Sequence, residues 1–265
     1  MSLGADVSQE VAIFFNNLQP VRDRVIEDGK FGNVAVVQHK TTKKRYFIKK
    51  IRFDKYDPVE PYVHDLMRDH KNFINKRYLT CTDKYHVIVQ DYFDHKDLWE
   101  MRHTIKDVYV VKSIIIQLIN GLNALHQHCI IHNDIKLENL LYSPDTNTLK
   151  IVDYGMCRNI GRKTFQDGTI HYFSPEKLSN RNYQHSDDWW AVGVVTYELL
   201  SGKHPFCDDD YVSNKDMYSL LMNTRIENIP RVSKLANKFV SAMLLFSYPN
   251  RLKEYREIIR HDFLK

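Results

Sequence analysis

The repeat of apolar and polar positions changes period several times along the chain. Between residues 5 and 18, Val7, Val11, Phe14, Phe15 and Leu18 fall at i, i+4, i+7, i+8 and i+11. That spacing predicts an amphipathic helix ended near Pro20. Its apolar face either packs on the adjoining part of the chain or serves as a self-association or docking surface. Strand-like runs at 24–27 and 34–39 then bracket Gly29 and Gly32. A further strand puts Phe47 and Lys49 on one face and Tyr46 and Ile48 on the other. A helix is predicted from about Pro58, with Val63, Met67 and His70 following Glu60 at i+3, i+7 and i+10. The prolines at 58 and 61 place Glu60 in its first turn. Residues 87–89 read as an apolar strand, Asp97 as the N-cap of the next helix, and 108–128 as a long, mostly apolar helix. Around a polar stretch at 132–139, "HQHCIIH", "NLLYS" and "TLKIVDYG" read as strand, loop, strand.

That polar stretch carries chemistry. It offers a carboxylate (Asp134), an ammonium (Lys136) and a carboxamide (Asn139), and a second carboxylate (Asp153) follows fourteen residues later. Phosphoryl transfer needs such a set: one carboxylate for the attacking hydroxyl, a cation for the phosphoryl charge, and Asn and Asp oxygens for Mg²⁺. Any one of them on a surface hairpin would mean little. Gly29-Lys30-Phe31-Gly32-Asn33-Val34 would let backbone N–H groups approach phosphate oxygens, although an ordinary hairpin turn would look the same.

His132-Asn133-Asp134-Ile135-Lys136-Leu137-Glu138-Asn139 and Asp153-Tyr154-Gly155 resemble the H-R-D-x-K-x-x-N and D-F-G motifs of eukaryotic protein kinases. Other signals of that family follow in order over residues 22–265. The resemblance implies an α+β, two-lobed kinase fold: a small β-rich N-lobe at 22–93, a larger mostly helical C-lobe at 94–265, and a helical extension at 1–21. It implies a glycine-rich loop over ATP formed by Gly29, Lys30, Phe31, Gly32 and Val34, with Glu27 where the first glycine is expected. Lys49, or failing it Lys50, would bind the α- and β-phosphates, paired with Glu60 or alternatively Asp65. Phe47 stands where a small residue usually covers adenine, Gln90 would be the gatekeeper, and Asp91 and Phe93 would lie in the hinge.

In the larger lobe, Asp134 would orient the substrate hydroxyl and take its proton, and Lys136 would stabilise the moving phosphoryl group. Asn139 and Asp153 would hold Mg²⁺, with Mn²⁺ as an alternative. "GTIHYFSPE" resembles G-T-x-x-Y-x-A-P-E, so Thr169 is expected to bond Asp134 and Lys136. Glu176 is expected to pair with Arg251, and Asp188-Trp189-Trp190 to open the central buried helix. Asn133 replaces the arginine that usually binds an activation-loop phosphate, which implies activity independent of such phosphorylation. Asp97 and Glu138 match acidic positions that read substrate arginine in basophilic kinases.

The remaining features refine this picture. The loop sequence and compact length look most similar to the baculovirus members of the family. That implies an arginine-rich, protamine-like DNA-packaging protein as substrate and the host-cell nucleus as the place of action. Asp208, Asp209 and Asp210 read as a solvated acidic loop that would suit such a substrate if near the cleft. A net charge of +5 is too mild to predict a direct nucleic-acid surface. Cys81, Cys129, Cys157 and Cys207 lack C-x-x-C spacing and read as free thiols. The N-terminus lacks a signal-peptide pattern, Ser2 excludes myristoylation, and the terminal "HDFLK" reads as the end of the domain. No run of about 18 apolar residues predicts a membrane span. The N-terminal helix leaves a homodimer open. The alternative reading is a pseudokinase, a nucleotide-binding scaffold acting through partners; Glu27 and Phe47 favour it, and the intact set of chemical groups opposes it.

Overall fold

The computed structural model describes residues 3–29, 32–105, 107–206 and 212–265, with backbone alone for 3–8, 22–29, 32 and 33. Lys30 and Phe31, Cys207 and the acidic positions Asp208, Asp209 and Asp210 lie outside the described residues, as do the side chains of Glu27 and Val7. The chain forms two compact units. One holds the chain up to Asp69 together with Phe73–Asp94, the other His70–Asn72 and His95–Lys265.

The first unit is a helix on a sheet. Helix α1 (Leu3–Asn16) leads into strands β1 (Leu18–Gly29), β2 (Gly32–His39) and β3 (Arg45–Arg52), helix α2 (Val59–Leu66), and strands β4 (Lys76–Cys81) and β5 (Tyr85–Asp91). The strands pair antiparallel in the order β1-β2-β3-β5-β4. Alternation sorts the side chains onto two faces. Val37, Ile48, Val87 and Val89 are buried on one, and Phe14, Phe15 and Leu18 pack on them. The Phe14 ring lies 5.1 Å from Tyr46 and 4.7 Å from Tyr78. Of the two uses foreseen for the α1 face, packing on its own sheet is the one observed. The helix also stops earlier than predicted. Leu18 and Pro20 already pair with His39 and Val37, and the sheet edge tolerates the proline's missing N–H.

Helix α2 is likewise shorter than its apolar spacing suggested. The Met67 N–H closes it on the Val63 carbonyl, and three residues later the chain enters the second unit. There Asn72 donates its amide to Leu149 O at 2.8 Å and to Gln117 Oε1 at 3.1 Å.

The second unit is mostly helical. In chain order it comprises α3 (Leu98–Met101), α4 (Val108–His126), β6 (Ile130–Ile131), β7 (Leu140–Ser143), β8 (Thr148–Ile151), β9 (Arg158–Asn159), α5 (Pro175–Leu178), α6 (His185–Ser201), α7 (Asn214–Asn223), α8 (Lys234–Met243) and α9 (Tyr255–Ile258). Helices α4 and α6 form its core, burying Ile114, Leu118, Leu122 and Leu125 beside Trp189, Trp190 and Val194. Close packing at α6 depends on Gly193, where an added Cβ would lie 2.8 Å from Leu244 Cδ2 and 2.9 Å from Met243 Cβ.

Helix α4 qualifies the sequence reading on membranes. By length and mean hydropathy it is apolar enough to cross a bilayer, although scattered polar residues break its apolar run. Six of its seven isoleucines and leucines are buried in this core, as in the central helix of a globular protein. The strand expected over 126–132 shrinks to β6, because α4 continues to His126 and Cys129 turns the chain with a φ of 58°.

Candidate active site

In the first unit the expected nucleotide-side residues share one face of the sheet. Val34 pairs with Lys49, Val36 with Phe47, and Phe47 with Gln90. Directly opposed partners project to the same side, which is the face away from α1. Lys49 Nζ donates to both Glu60 oxygens, at 2.8 and 3.1 Å, and both side chains are largely buried. Lys50 is exposed. Asp65 pairs instead with Lys76 at 2.7 Å and Arg68 at 3.2 Å. Of the four, Lys49 and Glu60 are the two that bond each other.

The backbone of Gly29 pairs with that of Gly32 across the turn. The carboxylate of Asp91 lies on the α1 face, bound by Arg77 at 2.8 and 2.6 Å and by Lys44 at 2.9 Å. Burial opposes its charge, yet these two cations hold its pKa below the usual carboxylate value. Phe93 is half-buried at the end of this unit.

In the second unit the catalytic candidates converge. The loop after β6 is fixed from beneath by Asp188 at the start of α6. Its buried carboxylate accepts from His126 Nε2 at 2.7 Å, from the His132 N–H at 2.8 Å and from the Asn133 N–H at 2.9 Å. Burial alone would raise the Asp188 pKa, and these donors bring it below the ordinary value. So held, Asn133 takes a φ of 69°, and Asp134 follows.

Thr169 Oγ1 donates to Asp134 Oδ1 at 2.8 Å and accepts from Lys136 Nζ at 3.1 Å. Lys136 Nζ stands 3.7 Å from Asp134 Oδ2. The amide nitrogen of Asn139 donates to Asp134 O at 2.8 Å and Oδ2 at 3.0 Å. The Val152 N–H bonds Asn139 O at 3.0 Å, which brings the segment carrying Asp153 alongside. Asp153 itself has a φ of 62°. Asp134, Lys136, Asn139 and Thr169 therefore form one bonded cluster.

Elsewhere in this unit, Asp97 caps α3 by accepting from the Glu100 N–H at 2.8 Å, and burial raises its pKa. Glu138 is exposed. Arg251 reaches Glu176 with two bonds of 2.6 and 3.1 Å.

The chain belongs to the protein kinase family: residues 21–264 match the model described as the protein kinase domain. Members of this family are ATP-dependent phosphotransferases. Among its relatives is serine/threonine-protein kinase 1 of Heliothis zea nuclear polyhedrosis virus, 36% identical over 261 residues that cover 97% of each chain. The protein of the same name from Lymantria dispar multicapsid nuclear polyhedrosis virus is 40% identical over 90% of this chain and 88% of its own. A solved structure of the Cydia pomonella granulovirus kinase, PK-1, superposes with a TM-score of 0.92 at 36% identity, covering 98% of this chain and 99% of that one.

Sequence reasoning missed a second polar cluster behind the catalytic loop, built from Lys177, Asp167, Asp187 and Ser174. Ser174 Oγ donates to Asp187 at 2.5 Å, and burial raises the Asp187 pKa to about 6. The available signals were a lysine directly after Pro175-Glu176, and a doubled aspartate where only Asp188 was needed.

Proposed function

We propose that this serine/threonine kinase transfers the γ-phosphate of ATP to hydroxyls of arginine-rich proteins, without needing a phosphate on its own activation segment. The bonded cluster of Asp134, Lys136, Asn139 and Thr169 carries the reading. Asp134 orients the substrate hydroxyl and accepts its proton, Lys136 stabilises the phosphoryl oxygens, and Thr169 ties the two together. Lys49, steadied by Glu60, grips the α- and β-phosphates. Gly29, Lys30, Phe31, Gly32 and Val34 would cover the nucleotide, Phe47 and Gln90 would border its base, and Asp91 and Phe93 would meet the base edge with backbone groups, the Asp91 side chain being turned to the other face.

The residues fit a hard cation, Mg²⁺ or Mn²⁺. The amide nitrogen of Asn139 is committed to Asp134, which leaves its oxygen as a donor beside the Asp153 segment. Bound there, the metal supplies positive charge to the phosphates. Most of the rate comes from positioning and charge stabilisation.

Phosphorylation independence has support beyond Asn133. Within residues 154–176, the hydroxyl side chains of Tyr154, Thr164, Tyr172 and Ser174 are buried, and that of Thr169 is bonded on both sides. No hydroxyl of that stretch stands ready for a kinase. Asp97 and Glu138 supply the carboxylates for substrate arginine. The resemblance to baculovirus kinases implies a DNA-packaging protein as substrate and the host-cell nucleus as the place of action, and both belong to this proposal. A homodimer through α1 would use the side bearing Ile13, which is 56% exposed.

The test is peptide kinetics. Asp97→Asn combined with Glu138→Gln keeps the helix cap, since Asn also caps. It should raise KM for an arginine-rich serine peptide by about tenfold, with little change for a peptide lacking arginine. Equal KM values for both peptides would sink the basic-substrate reading.

A further inference from the structure

Three consecutive residues of the activation segment dock on the catalytic loop. At the first, the Asp167 carboxylate accepts from Asn133 Nδ2 at 2.9 Å, from the Tyr183 hydroxyl at 2.5 Å and from Arg158 at 2.5 Å. Its backbone carbonyl accepts from Lys177 Nζ at 2.5 Å, and the same ammonium bonds Asn133 Oδ1 at 2.6 Å. At the second, Gly168 has a φ of 108°, and a Cβ there would lie 2.8 Å from Asn133 O. Only glycine allows so close an approach with that backbone. The third is Thr169, which touches Asp134.

The charges in this cluster are matched to a carboxylate. Arg158 comes from β9, Asn133 is a neutral donor beside the catalytic residue, and Tyr183 adds a hydroxyl. Together they give three donors, one of them a guanidinium, which suit the single charge of Asp167 better than the larger charge of a phosphate ester. Hydrogen bonds and neighbouring positive charge keep this carboxyl ionised against the cost of its burial. Lys177 closes the other side, buried between the catalytic loop and the segment.

We infer that Asp167 is a built-in anion that, held by Arg158, Tyr183 and Asn133, fixes the activation segment so that Thr169 engages Asp134. It is a positioning residue: it touches neither substrate nor nucleotide and acts through Thr169. The inference rests on the phosphorylation-independent reading above and assigns the group that replaces the phosphate.

The experiment compares phosphatase-treated wild type with Asp167→Asn, Asp167→Glu, Arg158→Gln and the Asp167→Asn/Arg158→Gln double variant, each checked by mass spectrometry. Wild type should keep its kcat. Asp167→Asn should lose about tenfold or more in kcat with KM for ATP unchanged, and Asp167→Glu should recover part of that loss. The double variant should be no worse than the more impaired single, because the two side chains act as one unit. Should Asp167→Asn fail to fold, Tyr183→Phe removes the hydroxyl that donates to Asp167, and with it the acceptor of the Phe165 N–H, and should lower kcat about threefold. A kcat within twofold of wild type in Asp167→Asn, or unchanged in Tyr183→Phe, would overturn the assignment. Additive losses in the double variant would do the same. Loss of wild-type activity on phosphatase treatment would instead overturn the phosphorylation-independent reading on which it rests.

Discussion

Thr169 Oγ1 lies 2.8 Å from Asp134 Oδ1, so the carboxylate proposed as the base is held by a residue of the activation segment thirty-five positions away. The same oxygen accepts from Lys136, which makes one hydroxyl the bridge between the Asp134 carboxylate and the Lys136 ammonium. Thr169→Val keeps the shape and removes the bridge. It should cost about 1–2 kcal/mol in the transition state, seen as a roughly tenfold fall in kcat with KM for ATP unchanged in steady-state assays.

The Lys49–Glu60 pair separates two neighbouring lysines. Glu60→Gln leaves a largely buried ammonium with a neutral partner and should lower kcat/KM for ATP by about ten- to hundredfold. Lys50→Ala alters an exposed side chain and should stay within about twofold. Equal losses in the two variants would contradict the assignment of Lys49.

His64 on α2 gives a pH signature. Its Nδ1 lies 2.9 Å from Ile74 O, and burial, aided by the charges of Lys76 and Lys49, lowers its pKa to about 4. In the unfolded chain a histidine takes up its proton near pH 6.5, whereas folded His64 resists until about pH 4. The unfolded state therefore binds more protons in that window, and stability falls as pH drops through it, by up to about 3 kcal/mol. His64→Asn, whose amide can still donate to Ile74, should flatten this part of the stability–pH curve in urea titrations. An unchanged slope would assign the acid lability elsewhere.

Arg251 is buried with Glu176 and lies 4.7 Å over the Trp190 ring. Arg251→Met leaves the glutamate buried without its cation and should cost about 3–5 kcal/mol. A large drop in the unfolding midpoint should follow, reduced when Glu176→Gln is added.

The residues that can be read from sequence are those whose chemistry is local. Asp134, Lys136 and Asn139 fall within six positions, whereas strand parity puts Lys49 and Lys50 on opposite faces without saying which face meets a nucleotide. The helix α1 face was legible as apolar, but its cover was not, because packing on Tyr46 and Tyr78 is a tertiary event. Pro20 misled for a similar reason: it ends helices, yet an edge strand tolerates it. The Asp167–Lys177 cluster was hidden because its members come from β9, the activation segment, α5 and the turn before α6. No periodicity links such positions. Helix boundaries at Leu66 and His126 shifted where capping and a left-handed residue decided the end rather than the apolar repeat.

The most direct measurement is phosphate transfer from Mg·ATP to an arginine-rich serine/threonine peptide by the wild-type chain and by Asp134→Asn. The account predicts robust transfer by wild type and a fall of about 10²–10⁴-fold in kcat for the variant, with ATP affinity retained. If both proteins bind ATP and neither transfers phosphate, the catalytic reading fails and a nucleotide-binding scaffold takes its place.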